Sequence, residues 1–249
     1  MVDQSHALSF GVAAESYDRY RPSYPEPAVG WAVGRPAPAE VLDLGAGTGI
    51  LTRVLLRVGH RVTPVEPDPG MRARLDAATP GTVARAGSAE RVPLPDGSVD
   101  AVVAGQAYHW FDHPVAHAEG VRLLRPGGTY AAIFNHRDES VGWVAALTAI
   151  TVELLGGGGV RSSDGPGIDG YGPEFAPVER NEFRHSVTLT PEALVGMVST
   201  RSHYLTASPE RQREVADAIR ELTASHPDLA GRESFALPYR TLVFRGRRR

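Results

Sequence analysis

The chain has 249 residues, of which 42% are hydrophobic and 22% charged, the balance of an ordinary folded protein. Its formal net charge of −3 gives no global positive field for nucleic acid, and we read the basic run 245–249 as a solvated tail. Cysteine and lysine are both absent, which excludes disulfides, thiolate metal sites, a cysteine nucleophile and Schiff-base chemistry. Arginine in place of lysine is typical of a GC-rich bacterial genome.

Residues 1–40 precede the first clear strand and are rich in aromatic, arginine and proline residues. We expect a short helix over Ala13–Arg19 and another over Ala28–Val33, because the prolines between them break the chain. The first ten residues lack a signal-peptide pattern, and no apolar run approaches the length of a membrane span. These features predict a cytoplasmic protein without membrane partners.

From residue 41, short apolar strands alternate with helical segments. The predicted strands are Val41–Leu44, Arg61–Val65, Val83–Ala86, Val99–Gly105 and Thr129–Phe134. The predicted helices are Ile50–Val58, Gly70–Ala78 and Val115–Leu124. Such alternation predicts a parallel sheet with helices on both faces and a ligand at the carboxyl ends of the strands.

The later part of the chain has a different pattern. Its predicted elements, in order, are a helix over Trp143–Leu155, a strand over Phe183–Leu189, a helix over Pro191–Ser199 with Thr190 as N-cap, a helix over Pro209–Ser225 and a strand over Phe235–Phe244. The glycine-rich stretch Gly156–Gly172 is predicted to be a mobile loop.

The turn after the first strand carries the clearest chemical signal. Gly45, Gly47 and Gly49 form a G-x-G-x-G pattern, whereas the dinucleotide fingerprint G-x-G-x-x-G would place its third glycine at Ile50. Asp43 would repel a pyrophosphate but suits a cationic ligand such as S-adenosylmethionine, which carries a sulfonium and an ammonium. Glu66 ends the second strand, where it can accept hydrogen bonds from two ribose hydroxyls. A turn-capping Asp43 and a solvated Glu66 are the alternatives.

Further motifs accompany this turn along the first half of the chain: Phe10–Pro22, Val65–Met71, Gly87–Glu90, Pro93–Asp100, Gln106–Phe111 and Leu124–Gly128. With the turn, they resemble the class I S-adenosylmethionine-dependent methyltransferases, within them the small-molecule group similar to trans-aconitate methyltransferase-like proteins. The resemblance implies a Rossmann-like, doubly wound α/β fold with seven strands in the order 3-2-1-4-5-7-6, strand seven antiparallel. It also implies that residues 1–40 cover the cofactor, that 41–190 and 230–249 form the core, and that 191–229 form a helical cap insertion.

The resemblance implies a set of cofactor contacts. The methionine part would face Asp43 and the turn Gly45, Ala46, Gly47, Thr48 and Gly49. The ribose would face Glu66, with Pro67 beside it, and the adenine would face Met71, Ser88, Ala89 and Glu90. Gln106 and Ala107 would lie next to the sulfonium, and Tyr17 and Arg21 would fold over the cofactor. Many relatives carry Asp at the position of Ser88, so that contact is weaker here. Met71 as a core residue, Glu90 as a helix cap and an N-terminal helix that merely packs on the sheet are the alternatives.

The acceptor is expected beyond the fourth strand and under the cap. Its candidate contacts are Tyr20, Tyr108, His109, Trp110, Phe111, Arg201, His203 and Tyr204. His109 is the candidate general base, because imidazole titrates near neutral pH; orienting Trp110 is the alternative, and a carboxylate acceptor needs no base. His113 and His117 are four residues apart, but Pro114 and the lack of a third ligand argue against a metal.

The sequence therefore predicts a methyltransferase for a small-molecule acceptor, as a monomer or homodimer. The alternatives are a nicotinamide-dependent dehydrogenase, disfavoured by Asp43 and Ile50, and a non-catalytic module that keeps the cofactor site. A nucleic-acid methyltransferase is disfavoured by the net charge and by the lack of an Asn/Asp-Pro-Pro-Tyr motif.

Overall fold

A computed structural model of the chain describes residues 14–156 and 168–249. The beginning of the predicted N-terminal segment and most of the predicted Gly156–Gly172 loop lie outside the described residues. Within them, one sheet runs in the order β2-β1-β3-β4-β6-β5. Its strands are β1 (Glu40–Leu44), β2 (Arg61–Val65), β3 (Val99–Gly105), β4 (Leu124–Arg137), β5 (Glu179–Leu189) and β6 (Phe235–Arg247).

Helices cover both faces of this sheet. They are α1 (Ala14–Tyr20), α2 (Glu26–Val33), α3 (Ile50–Arg57), α4 (Pro69–Ala78), α5 (His113–Leu123), α6 (Gly142–Leu155), α7 (Pro191–Ser199), α8 (Ser202–Leu205) and α9 (Pro209–Ser225). Side-chain caps define several of their starts: Asp68 accepts from the Met71 N–H before α4, and Thr190 accepts from the Ala193 N–H before α7. The N-cap predicted at Thr190 is confirmed.

The predicted doubly wound α/β fold is confirmed, with one correction to the strand count. Strands β1 to β4 are parallel, and β6 pairs antiparallel with both β4 and β5, as expected for the last strand. The strand predicted over Val83–Ala86 is wrong: within the described residues this segment makes only an isolated bridge between Val65 and Arg85. The Val83 side chain is 75% exposed, so burial does not hold this edge segment against β2.

The side chains of β4 alternate between two cores. Ala131 and Ile133 pack with α2 and α3 on one face, whereas Tyr130, Ala132 and Phe134 pack with α5 on the other. A third core joins α6, α7 and α9 to the C-terminal end of β5 and the N-terminal end of β6, through side chains that include Trp143, Leu147, Leu194, Ile219 and Leu237. Burial of each such side chain contributes about 1.5–3 kcal/mol. This third core fixes the helices between β5 and β6 beside the carboxyl end of β4.

None of the helices in residues 14–156 and 168–249 combines the length and the apolar character that crossing a membrane requires.

Candidate functional site

The glycine turn between β1 and α3 is anchored to β2 and leaves one open position. The N–H groups of Gly45 and Ala46 donate to the Val65 carbonyl at 2.9 and 3.1 Å. A Cβ on Gly45 would lie 2.7 Å from the Ala107 Cβ, so the close approach of these two loops requires glycine. Gly47 has a φ of +56°, and no described atom lies within 4 Å of where its Cβ would be. A ligand can therefore approach the backbone at Gly47.

Asp43 lies fully buried beneath this turn. Its Oδ2 accepts a hydrogen bond of 2.6 Å from the Thr52 hydroxyl, while its Oδ1 has no hydrogen-bond partner among the described residues. Burial raises the pKa of Asp43 from 3.8 to about 7, the hydrogen bond from Thr52 opposes this rise, and the charge of Glu66 adds to it. A buried carboxylate with one oxygen free is suited to a cationic or hydrogen-bond-donating ligand.

Glu66 is held at the carboxyl end of β2 by two backbone donors. Its Oε2 accepts from the Gly47 N–H and its Oε1 from the Asp68 N–H, both at 2.9 Å. Burial raises its pKa, and these two hydrogen bonds lower it. Each carboxylate oxygen has two lone-pair sites, so both can still accept from a ligand hydroxyl. The carboxylate thus links the glycine turn to the start of α4.

The residues predicted to contact the adenosine part of the cofactor follow β2 in the chain. Met71 and Ala89 are buried, Ser88 is half-buried and pairs through its backbone with Arg91, and Pro67 is exposed. The Oε1 of Glu90 accepts a 2.9 Å hydrogen bond from the N–H of Asp112, the residue before α5. This contact fits the alternative in which Glu90 supports the start of a helix.

Helix α1 is fastened over the glycine turn by Asp18, which the sequence analysis missed. Asp18 accepts from the Thr48 hydroxyl at 3.0 Å and forms ion pairs with Arg53 at 2.6 Å and Arg74 at 3.2 Å. Arg53 also donates to the Thr48 carbonyl. An acid within an arginine-rich segment was the available signal, but its partners lie on two other helices.

Tyr17 of α1 and Arg21, the residue after this helix, line the same small cavity. The Arg21 guanidinium lies 4.8 Å from the centroid of the Tyr17 ring and donates to the hydroxyl and the carbonyl of Thr200 at 3.0 and 3.1 Å. Tyr20 packs its ring on Gly196 of α7, where a Cβ would be 2.6 Å from a ring atom. Helix α1 therefore touches both the glycine turn and the helices after β5.

The backbone is strained where β3 ends. Gln106 has a φ of +56°, unusual for a residue other than glycine. Its N–H donates to the Ile133 carbonyl and its Nε2 to the Asn135 carbonyl, both at 2.9 Å. These bonds to β4 hold the strained conformation and turn Ala107 toward Gly45. Strain of this kind concentrates at functional sites.

The structure divides the predicted acceptor residues into two groups. The first, Tyr108–Phe111, begins with a 3₁₀ turn, and its residues Tyr108 and His109 border a cavity of about 730 Å³. The Tyr108 ring stacks on His113 at 4.3 Å, and its hydroxyl lies 2.9 Å from His117 Nε2. Part of His109 is exposed at this cavity, beside Trp110, but the protein atoms around its ring partly desolvate the imidazole and lower its pKa, as does the nearby His113. Phe111 lies over Gly45.

The second group, Arg201, His203 and Tyr204, lies in and just before helix α8. Arg201 borders a smaller cavity of about 30 Å³, together with Tyr17, Arg21, Gln106, Asn135 and Tyr239. Neither His203 nor Tyr204 lines either cavity. His203 is exposed, and the Tyr204 hydroxyl donates to the Gln212 carbonyl. Asn135 and Tyr239 were missed in the sequence, because their proximity depends on the register of β4 and β6.

Within residues 14–156 and 168–249, no three His, Cys, Asp or Glu side chains lie close enough together to hold a metal ion.

Comparison with known proteins gives a consistent family. Residues 42–132 match the family described as “Methyltransferase domain”. An uncharacterized methyltransferase of Mycobacterium tuberculosis is 44% identical over 241 residues, covering 96% of this chain and 95% of the relative. An uncharacterized methyltransferase-like protein of Schizosaccharomyces pombe is 28% identical, covering 98% and 97%. The structure of a candidate type II methyltransferase from Anaeromyxobacter dehalogenans has a TM-score of 0.66 at 24% identity, covering 92% of this chain and 98% of that one, and shares the fold.

Proposed function

Because the chain belongs to the class I S-adenosylmethionine-dependent methyltransferases, we propose that it binds S-adenosylmethionine at the glycine turn and methylates a small-molecule acceptor. The observation that carries the proposal is the buried Asp43 carboxylate, whose Oδ1 has no partner within the described residues, beside the open position at Gly47. The cationic methionine end of the cofactor matches this carboxylate. Glu66, with lone pairs left on both oxygens, is placed to accept from the ribose hydroxyls.

When bound, the cofactor would supply an electrophilic methyl group on its sulfonium for transfer to a nucleophilic atom of the acceptor. The protein contributes alignment and a dry site. Asp18 holds α1 over the glycine turn. Gln106, in its strained conformation, fixes the backbone at the end of β3, next to that turn. Met71 and Ala89 provide a buried apolar surface for the adenine.

On the acceptor side, we propose that residues 1–40 and the insertion 191–229 cover the site. The contacts of Tyr20 with α7 and of Arg21 with Thr200 support this, because they join the two segments above the carboxyl end of the sheet. For an acceptor that must lose a proton, we propose His109 as the base. Its lowered pKa keeps the imidazole neutral near pH 7, the form that accepts a proton.

The proposal can be tested by calorimetric titration with S-adenosylmethionine, S-adenosylhomocysteine and NADH. We expect both sulfur compounds to bind and NADH not to bind. Gly47→Val should abolish binding, because its side chain would occupy the space left for the ligand.

A matched control is Gly97→Val, since Gly97 has nearly the same φ, +58°, and equally open surroundings, but lies in a distant turn. It carries the same backbone strain and should bind normally. Binding of NADH alone, or equal loss of binding in both variants, would contradict the proposal. Release of S-adenosylhomocysteine in a screen of small acids, phenols and amines distinguishes an enzyme from a non-catalytic binding module.

A further inference from the structure

Three arginines from distant parts of the chain meet above the carboxyl end of β4. Arg137 is the last residue of β4 and faces Tyr239 across the β4–β6 pair. Arg201 immediately precedes α8, and Arg21 immediately follows α1. Arg21 and Arg201 border the small cavity at Gln106, next to the glycine turn. Arg21 and Arg201 therefore lie beside the proposed methyl-donor site, between the glycine turn and the helices after β5.

This cluster lacks balancing acids. No acidic side chain of the described residues makes an ion pair with any of the three arginines, although the exposed Glu139 lies near enough to act on Arg137 electrostatically. The Nε of Arg201 and the Nη1 of Arg137 are buried without a hydrogen-bond partner in the described part of the chain. The Nη2 of Arg137 donates a hydrogen bond of 3.1 Å to the Thr148 hydroxyl. Buried guanidinium N–H groups in proteins are normally hydrogen-bonded. The Nε of Arg201 and the Nη1 of Arg137 are therefore suited to bind an anion.

The electrostatic consequences agree with this geometry. Burial, together with the nearby charges of Arg137 and Arg21, lowers the pKa of Arg201 to about 9. Burial also lowers the pKa of Arg137, and the pKa of His136 is lowered by burial and then by Arg240 and Arg201. The positive charges in this region therefore repel one another, and a bound anion would relieve the repulsion.

We propose that Arg137 and Arg201 bind an anionic oxygen group of the acceptor, a carboxylate or a phosphate. Guanidinium groups match both groups with paired hydrogen bonds. This inference rests on the proposed function, since it names the acceptor class of the same site. Arg21 differs from the other two because it is already bonded to Thr200. It closes α1 onto the cap, and the cavity of about 30 Å³ must open there to admit an acceptor.

The test uses protein saturated with S-adenosylhomocysteine, so that anions cannot bind in place of the cofactor carboxylate. Malonate, citrate and inorganic phosphate are titrated calorimetrically, with dimethyl malonate as the neutral counterpart of malonate. We expect at least one anion to bind, and the neutral ester to bind at least tenfold more weakly. The carboxylate and phosphate arms show which group the site prefers.

The variants are Arg201→Gln and Arg137→Gln, each expected to weaken anion binding at least tenfold, with Arg201→Lys recovering part of the affinity. Arg213→Gln is the control, since Arg213 is an exposed arginine of α9 paired with Glu210. Affinity for S-adenosylhomocysteine shows that each variant is folded, and should Arg201→Gln fail this check, Arg137→Gln carries the same comparison.

Wild-type protein that binds S-adenosylhomocysteine but none of the anions, or variants that bind anions like wild type, would overturn the acceptor assignment and leave the proposed function standing. Failure to bind S-adenosylhomocysteine would overturn the proposed function itself.

Discussion

Replacing Asp43 by Asn should change the stability of the ligand-free protein in a pH-dependent way. The carboxyl group is fully buried, accepts a hydrogen bond from the Thr52 hydroxyl, and has an Oδ1 without a hydrogen-bond partner in the described residues. Ionising such a group within the folded protein costs free energy, because little replaces its lost hydration. Asn has nearly the same shape and no charge, so the variant removes this cost while leaving the packing in place.

The magnitude follows from the two pKa values of Asp43. Burial raises its pKa from 3.8 to about 7 in the folded protein. Because the folded-state pKa is above the unfolded-state value, this group's stabilising contribution is fully present below pH 3.8 and is lost as the pH rises through about 7. At about 1.4 kcal/mol for each unit of pH, the loss is about 4 kcal/mol. Above pH 7, Asp43→Asn should therefore be more stable than wild type by up to this amount.

Urea denaturation of the two ligand-free proteins between pH 4 and 8 measures this difference directly. The free energy of unfolding of wild type should lie close to that of the variant at pH 4 and fall below it as the pH rises. The same substitution should weaken binding of S-adenosylmethionine at pH 8, since it removes the charge that faces the cationic ligand. Parallel stability profiles for the two proteins across this range would refute the reasoning about a buried, incompletely paired carboxylate.

Three further substitutions test other parts of the site. Glu66→Gln should weaken calorimetric binding of S-adenosylhomocysteine by about 1.5–3 kcal/mol, the worth of hydrogen bonds to a charged acceptor, whereas Glu210→Gln on exposed α9 should not; unchanged affinity would contradict the ribose role. His109→Ala should lower kcat by about 10²–10⁴-fold without affecting cofactor affinity if His109 is the base, and a wild-type rate would leave it a packing residue. Asp18→Asn removes the charge paired with Arg53 and Arg74, so amide hydrogen exchange in α1 should accelerate; unaltered protection would show that other contacts hold the helix.

Local sequence patterns carried most of the information about the fold. The strand–helix alternation and the capping residue Thr190 depend on neighbours within a few positions, and the structure shows them where the sequence placed them. The strand predicted over Val83–Ala86 failed because its stability depends on what covers it. Val83 is left largely exposed at the edge of the sheet, a fact of tertiary structure that β propensity does not contain.

The site was less accessible to sequence reasoning than the fold. The pattern around Gly47 and Glu66 indicated a nucleoside site, but the 2.9 Å bond that joins these two residues depends on the pairing of β1 with β2. Arg137 is an ordinary strand-end residue in the sequence. It becomes a candidate ligand only because β6 pairs antiparallel with β4 and α7 brings Arg201 above it. Long-range register and helix packing supply this information.

The two ends of the site have opposite charge, and this polarity has a mechanistic consequence under the proposed function. Asp43 and Glu66 lie at the ends of β1 and β2, whereas Arg21, Arg137 and Arg201 gather beyond β4. A cofactor with a cationic centre and a carboxylate can align along this gradient, with an anionic acceptor on the basic side. Methyl transfer removes the sulfonium charge, so the attraction to Asp43 falls after the reaction. Under the proposed function, the buried carboxylate would therefore favour the methyl donor, which carries both a sulfonium and an ammonium, over its product, which keeps only the ammonium.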